Sequence, residues 1–184
     1  VESVDIPKLS DDQFAEIRTA FFEHGALFFR DQKLTPEDHI SFAERWNEID
    51  INRFFTPVED HPQIAKVLKE PDQKVNIGGG WHTDHSYDKI PAMGSILYAL
   101  EIPPTGGDTL FAGMHTAYEA LDDDMKARIA DLKALHGNAH IFGTKSEYRK
   151  EVGERYGNAE NAGQEAIHPV VLEHPETGAK GLYV

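Results

Sequence analysis

The chain has 184 residues, of which 40% are hydrophobic, so it is long enough for one domain to bury a real core. It contains no cysteine, which excludes disulfides and thiolate metal sites and leaves oxygen and nitrogen ligands for any metal. The net charge of −14 argues against a nucleic-acid partner, and no stretch is apolar enough over its length to predict a membrane-spanning helix.

The N-terminal third has the pattern of a helical scaffold. Ser10-Asp11-Asp12-Gln13 matches a capping box, so a helix should begin there and end at Gly25. The apolar stripe of this helix consists of Phe14, Ile17, Ala20 and Phe21. Residues 26–29 then predict a short strand, and Thr35-Pro36 predicts the start of a second helix.

A glycine loop at residues 78–80 leads into the segment Trp81-His82-Thr83-Asp84. On an extended backbone, residues i and i+2 project to the same face, so His82 and Asp84 can reach one metal ion. Histidine suits Fe(II), and a single carboxylate offsets part of the charge of the ion. The alternative is a turn in which Asp84 caps neighbouring amides and His82 is a half-buried packing residue.

The segment after this pair predicts two strands around a tight turn. Residues 96–100 are apolar, and the turn Pro103-Pro104-Thr105-Gly106-Gly107 follows them. Residues 108–111, which include Thr109, then predict the second strand.

Helices and one irregular segment are predicted in the second half of the chain. Residues 117–121 and 125–135 have helical patterns, and Asp122 is expected to be an N-cap. Residues 143–163 are polar and charged without a clear period. We therefore expect a mobile excursion near the site there.

Three segments together resemble the TauD/TfdA family, which includes taurine and 2,4-dichlorophenoxyacetate dioxygenases. They are W-H-T-D at residues 81–84, G-G-D-T at residues 106–109, and H-P-V-V…H-P-E-T-G-x-K-x-L-Y-V at residues 168–184. The resemblance extends over residues 5–184. It implies a mixed α+β fold with a double-stranded β-helix, a distorted jelly roll, and flanking helices. It also implies a single dioxygenase domain over residues 1–184.

The resemblance implies a role for three residues. His82 and Asp84 would be ligands of Fe(II), and Thr109 would contact the far carboxylate of the co-substrate 2-oxoglutarate. O2 is the other co-substrate. Relatives that halogenate have a small residue at the carboxylate position, so Asp84 implies hydroxylation.

Two parts of the family's site are expected outside the chain. The second iron histidine and the arginine that pairs with 2-oxoglutarate lie downstream of the last family segment, so we expect the chain to be incomplete at its C-terminal end. It also begins without Met, and we expect the same at the N-terminal end. His168 and His174 are predicted to be structural instead, because one precedes a strand at residues 170–172 and the other lies in a turn.

The substrate pocket is predicted from an alignment with taurine dioxygenase. Asn52 and Phe55 stand where that enzyme has a sulfonate-contacting His and a Tyr, and Gly78 stands where it has an Asn. The loss of three polar groups argues against taurine, because a buried sulfonate needs paired donors. Tyr87 and Phe142 offer aromatic surface for a larger substrate. Other candidates, each open to a packing or surface role, are Arg53, Phe54, His85 and His140.

The expected function is a non-haem Fe(II), 2-oxoglutarate-dependent dioxygenase. It would hydroxylate an unactivated C–H of a small organic acid, such as an aryloxyalkanoate or alkyl sulfate, and release succinate and CO2. Two alternatives remain open, a zinc-dependent hydrolase using the same His-Asp pair and a non-catalytic jelly-roll binding domain. We expect a cytoplasmic homo-oligomer with a small-molecule substrate and with neither a nucleic-acid nor a membrane partner.

Overall fold

A computed structural model describes the backbone of residues 1–184 and every side chain except that of Glu154. The chain forms two compact units. Unit 1 comprises Val1–Arg45, Leu97–Ala134 and Pro169–Val184, and unit 2 comprises Trp46–Ile96 and Leu135–His168. Among the described residues, no helix has both the length and the apolar character needed to cross a membrane.

Helices and strands are both present, in agreement with the predicted mixed α+β class. The α-helices are Asp11–His24 (α1), Pro36–Glu44 (α2), Met114–Glu119 (α3), Asp123–Ile129 (α4), Ala139–Phe142 (α5) and Glu147–Val152 (α6). The strands are Pro57–Val58 (β1), His61–Ala65 (β2), Lys133–Gly137 (β3), Glu165–Pro169 (β4), Val171–Glu173 (β5) and Lys180–Leu182 (β6). The strands of the described chain pair as β1-β2, β3-β4 and β5-β6.

The predicted start and end of α1 are confirmed. The Gln13 N–H donates to Ser10 Oγ at 3.2 Å, and the Ser10 N–H donates to Gln13 Oε1 at 3.0 Å, so the capping box satisfies two amides. Gly25 ends the helix with φ 72°, a left-handed conformation that glycine adopts without a steric penalty. The predicted start of α2 is also confirmed, because Thr35 caps it and Pro36 is its first residue.

The core of unit 1 packs α1 against α2. Ile17 and Phe42 are buried, and the ring of Phe42 has edge contacts with Phe14 at 6.2 Å and Phe29 at 5.9 Å between centroids. The prediction of a strand at residues 26–29 is wrong. Phe29 is held by the packing of its ring against Phe42 and not by pairing with another strand.

Strands β5 and β6 form an antiparallel hairpin in unit 1, and β5 confirms the strand predicted at residues 170–172 within one residue. Gly181 of β6 packs closely on α3, because a Cβ there would lie 3.3 Å from the Met114 Cβ. Asp122 caps α4 as predicted, with its Oδ1 accepting from the Met125 N–H at 2.7 Å.

The predicted bounds of two helices need correction. The helix expected at residues 117–121 is Met114–Glu119. The helix expected at residues 125–135 ends at Ile129, because Lys133–Gly137 pairs with β4 as a strand. Tertiary pairing here outweighs a local helical pattern.

The irregular conformation predicted for residues 143–163 needs correction, whereas the mobility of this segment stays a prediction. The segment contains α6, and it places Val152 and Tyr156 in the core of unit 2 beside Phe54. The ring of Phe54 stacks on the ring of Phe142 with centroids 3.9 Å apart. Although most residues of the segment are polar, it therefore contributes to a small aromatic core.

The predicted strands at residues 96–100 and 108–111 are not formed. Their large apolar side chains are exposed, with 79% exposure for Leu97, 88% for Leu100 and 70% for Leu110. A strand needs a partner strand, and neither segment belongs to one of the sheets of the described residues. The two-stranded sheets are therefore less than the complete jelly roll that the resemblance implies.

Candidate metal-binding site

Two metal-ligating atoms converge in the loop that follows the glycines of unit 2. The Nε2 atom of His82 lies 3.3 Å from Oδ1 of Asp84. The two side chains are 52% and 64% exposed, so both can be reached by a ligand from solvent. The i, i+2 spacing places the two side chains together, as the sequence predicts.

The other nitrogen of His82 is fixed by the backbone. Nδ1 lies 2.7 Å from the carbonyl oxygen of Gly80. Because a carbonyl oxygen only accepts, Nδ1 carries the proton, and in the neutral ring Nε2 presents its lone pair. A lone pair facing a carboxylate oxygen is unfavourable unless a cation or a proton lies between them. The pair therefore fits a divalent metal ion, and a backbone carbonyl that orients a ligating histidine is a common feature of metal sites.

Gly78 lies against the ring of His82. Its φ is 71°, and a Cβ there would be 3.3 Å from His82 Cε1. The structure thus places Gly78 beside the ring of His82, and its role in the substrate pocket stays a prediction.

A second cluster lies just after this pair. The Nδ1 atom of His85 is 3.1 Å from Asp50 Oδ2 and 3.2 Å from Asp88 Oδ2. These three residues also offer nitrogen and oxygen donors for a metal. Arg53, however, forms an ion pair with the same Asp88 oxygen, and its positive charge opposes a second cation there. His82 and Asp84 therefore remain the candidate metal ligands, and their role stays a prediction.

The predicted aromatic pocket residues belong to one cluster in unit 2. Phe142 stacks on Phe54, Tyr87 meets the edge of Phe142 at 6.2 Å, and Phe55 meets the edge of Tyr156 at 5.0 Å. Burial raises the pKa of Tyr87 to about 12, while Arg53 lowers it and the charge of Asp84 contributes to the rise. The Asp84 carboxylate is thus close enough to the aromatic cluster to act on it electrostatically.

Asn52 and Arg53 are both engaged locally. Asn52 Oδ1 accepts from the amides of Phe54 and Phe55, each at 2.9 Å, so this oxygen holds a turn. Arg53 is paired with Asp88 and lies 5.6 Å from the centroid of the Tyr87 ring. The role of Asn52 as a substrate contact stays a prediction.

Thr109 belongs to unit 1, whereas His82 and Asp84 belong to unit 2. It is exposed and follows Gly106 and Gly107, which have φ values of 76° and 75°. Two successive left-handed residues make a turn that only glycine adopts readily. Its contact with 2-oxoglutarate stays a prediction.

The two downstream histidines have structural contacts, as predicted. Nε2 of buried His168 lies 2.9 Å from the Ser86 carbonyl oxygen and 3.0 Å from that of Asp88. Nδ1 of His174 accepts from the amides of Glu176 and Thr177 in a turn. The side chain of His140 is exposed.

Tyr148 was not predicted from the sequence. Its hydroxyl donates to the Asn76 carbonyl at 2.8 Å and accepts from the Gly78 N–H at 3.1 Å. It lies in the segment that was expected to be mobile, and no motif marks it.

Comparison with known proteins identifies the family. The model of the taurine catabolism dioxygenase TauD, TfdA family matches residues 1–184. An (S)-phenoxypropionate/alpha-ketoglutarate-dioxygenase of Sphingobium herbicidovorans is 33% identical over 189 residues, which cover 100% of this chain and 66% of that protein. An alkylsulfatase of Acinetobacter baylyi is 37% identical over 176 residues, covering 90% of this chain and 52% of that protein.

A solved structure gives the same result. The crystal structure of a taurine dioxygenase from Burkholderia xenovorans superposes with a TM-score of 0.74 at 30% identity, covering 99% of this chain and 57% of that chain. This chain thus spans between about half and two thirds of the proteins it matches. None of these relatives supports a zinc-dependent hydrolase or a non-catalytic binding domain. Together with the paired His82 and Asp84, these matches show that the chain belongs to the taurine catabolism dioxygenase TauD, TfdA family.

Proposed function

We propose that the full-length protein is a non-haem Fe(II), 2-oxoglutarate-dependent dioxygenase that hydroxylates an unactivated C–H of a small organic acid. The observation that carries the proposal is the 3.3 Å approach of His82 Nε2 to Asp84 Oδ1, with Nδ1 of the same ring held by Gly80. One histidine nitrogen and one carboxylate oxygen are two of the three ligands of a 2-His-1-carboxylate site. The second histidine is proposed to lie downstream in the full-length protein.

The iron and its co-substrate supply the oxidising chemistry: 2-oxoglutarate and O2 give succinate and CO2, and one oxygen atom enters the substrate C–H bond as a hydroxyl. The chain's own residues prepare this reaction. Gly80 fixes the His82 tautomer, so that Nε2 is available as a ligand without loss of a proton. Asp84 adds the negative charge that partly neutralises the cation.

Thr109 is proposed to donate a hydrogen bond to the distal carboxylate of 2-oxoglutarate. The turn at Gly106 and Gly107 leads directly into this residue, and the Thr109 side chain is exposed and so accessible to a ligand. An arginine further along the full-length protein is proposed to pair with the same carboxylate.

The proposed substrates are aryloxyalkanoates or alkyl sulfates. Support comes from Phe55, Tyr87 and Phe142, aromatic residues that are only partly buried, whereas Phe54 lies fully buried in the core behind them. Relatives named for phenoxypropionate oxidation and for alkyl sulfate cleavage point in the same direction. Arg53 is paired with Asp88, so the substrate anion is proposed to bind a basic residue elsewhere in the full-length protein.

We also propose that both compact units belong to one dioxygenase domain whose core is a double-stranded β-helix. The family match over the whole chain supports this, as does the likeness to a taurine dioxygenase structure. The exposed apolar residues Leu97, Leu100 and Leu110 support it further, because a face of this kind usually packs against other parts of a protein. The cytoplasmic location and the homo-oligomeric state stay predictions.

Succinate formation tests the proposed function. The full-length protein, supplied with Fe(II), 2-oxoglutarate and O2, should form succinate faster when an aryloxyalkanoate or alkyl sulfate is added. A protein that hydrolyses esters with Zn²⁺ and forms no succinate with Fe(II) would contradict the proposal and support the hydrolase alternative.

A further inference from the structure

The Tyr148 hydroxyl ties α6 to the loop that precedes the metal ligands. It donates to the Asn76 carbonyl at 2.8 Å and accepts from the Gly78 N–H at 3.1 Å. A phenolic hydroxyl has one proton and two lone pairs, so these two partners use its proton and one lone pair.

The loop held by Tyr148 lies beside the ring of His82. Gly78 is so close to the imidazole that its Cβ position lies 3.3 Å from Cε1 and 3.8 Å from Nε2 of His82. On the other side of the ring, Nδ1 is 2.7 Å from the Gly80 carbonyl oxygen. Residues 78–80 therefore enclose the ring from two directions, and a shift of Gly78 would free the ring to rotate away from Asp84.

The ring of Tyr148 has a separate, structural role. It packs against the core of Phe54, Val152 and Tyr156. Replacement by phenylalanine keeps this packing and removes only the hydroxyl. The loop amide and carbonyl that lose their partner lie at the surface, where water can replace it, so the fold should survive the change.

We infer that Tyr148 is a positioning residue, which holds the Gly78 loop against His82 and so fixes the metal-binding orientation of the imidazole. The inference rests on the proposed function, because it takes His82 to be a metal ligand. A ligating histidine needs surrounding residues that hold its orientation, and Tyr148 of α6 is such a residue.

The test is a Co(II) titration of the metal-free, full-length protein. Tyr148→Phe should raise the Kd for Co(II) about tenfold to a hundredfold, the usual effect of removing a group that orients a ligand, with an unchanged Tm. Tyr98→Phe is the matched control, because the Tyr98 hydroxyl also contacts two backbone groups, the Leu34 N–H and the Gln32 carbonyl, both in unit 1. It should leave the Kd at the wild-type value.

Three outcomes would overturn the inference. The Kd of Tyr148→Phe could equal that of the wild type, or Tyr98→Phe could weaken Co(II) binding equally, which would indicate a general effect. The third concerns hydrogen exchange in the wild-type protein. Because the Gly78 N–H donates to the Tyr148 hydroxyl, this amide should exchange its hydrogen slowly. Fast exchange of the Gly78 amide would remove the basis of the proposal. A different result would contradict the proposed function itself, namely that His82→Ala binds Co(II) as tightly as the wild type.

Discussion

Gly78 lies beside His82 at a position where a side chain would be crowded. The Cβ position of Gly78 lies 3.3 Å from His82 Cε1, and the φ of Gly78 is 71°. The absence of a side chain at residue 78 thus leaves room for the ring of a proposed iron ligand beside the loop.

Gly78→Ala should therefore weaken metal binding. The methyl group would push the imidazole, and the left-handed backbone would add about 1–2 kcal/mol of strain. We expect the Kd for Co(II) to rise about tenfold, measured by titration of the full-length protein. Gly79→Ala is the control, since its Cβ would make only an ordinary 3.6 Å contact with Asn76. Equal affinities for the two variants would argue against the contact.

Thr109→Val should raise the KM for 2-oxoglutarate. A hydrogen bond to a charged group contributes about 1.5–3 kcal/mol, which corresponds to about a tenfold to hundredfold increase. Steady-state kinetics at saturating substrate would measure it. Thr105→Val changes the same residue type in the preceding turn and should leave the KM near the wild-type value. If Thr109→Val has the wild-type KM, Thr109 does not bind the co-substrate.

The Tyr87 hydroxyl should make stability depend on pH in the alkaline range. Burial raises its pKa from 10.0 to about 12, so the folded state keeps a proton that the unfolded state loses. The contribution is fully present below pH 10 and is lost as the pH rises towards 12. Between about pH 10 and pH 12, the Tm of the wild type should therefore fall more steeply than that of Tyr87→Phe. Parallel Tm curves would contradict this.

The substrate preference follows from the aromatic cluster and from the three replaced polar residues. Aryloxyalkanoates or alkyl sulfates should give a kcat/KM at least about tenfold higher than taurine, with 2-oxoglutarate decarboxylation as the readout. Efficient, coupled turnover of taurine, with both other classes inert, would show that Asn52, Phe55 and Gly78 do not shape the pocket in this way.

Local signals predicted the N-terminal caps of three helices correctly. Ser10, Thr35 and Asp122 cap helices as expected, because a cap depends on residues only a few positions away. The pairing of His82 with Asp84 was equally local, since the i, i+2 spacing alone brings the side chains together.

Long-range contacts limited the rest of the prediction. Residues 133–137 form a strand because they pair with β4. The conformation of residues 143–163 depends on the packing of Tyr156 near Phe54. Tyr148 reaches Asn76 across 72 positions of the chain, and nothing in the residues around either of them indicates that contact. Distances of this kind are set by the fold and not by a local pattern.

The most direct test of the account is Fe(II)-dependent succinate formation by His82→Ala and Asp84→Ala in the full-length protein. Because these two side chains are proposed to hold one ion, each variant should lose succinate formation and keep the wild-type Tm. His24→Ala and Asp124→Ala, which change exposed residues of α1 and α4, should retain activity. Turnover at the wild-type rate in either His82→Ala or Asp84→Ala would contradict the assignment of the metal to this pair.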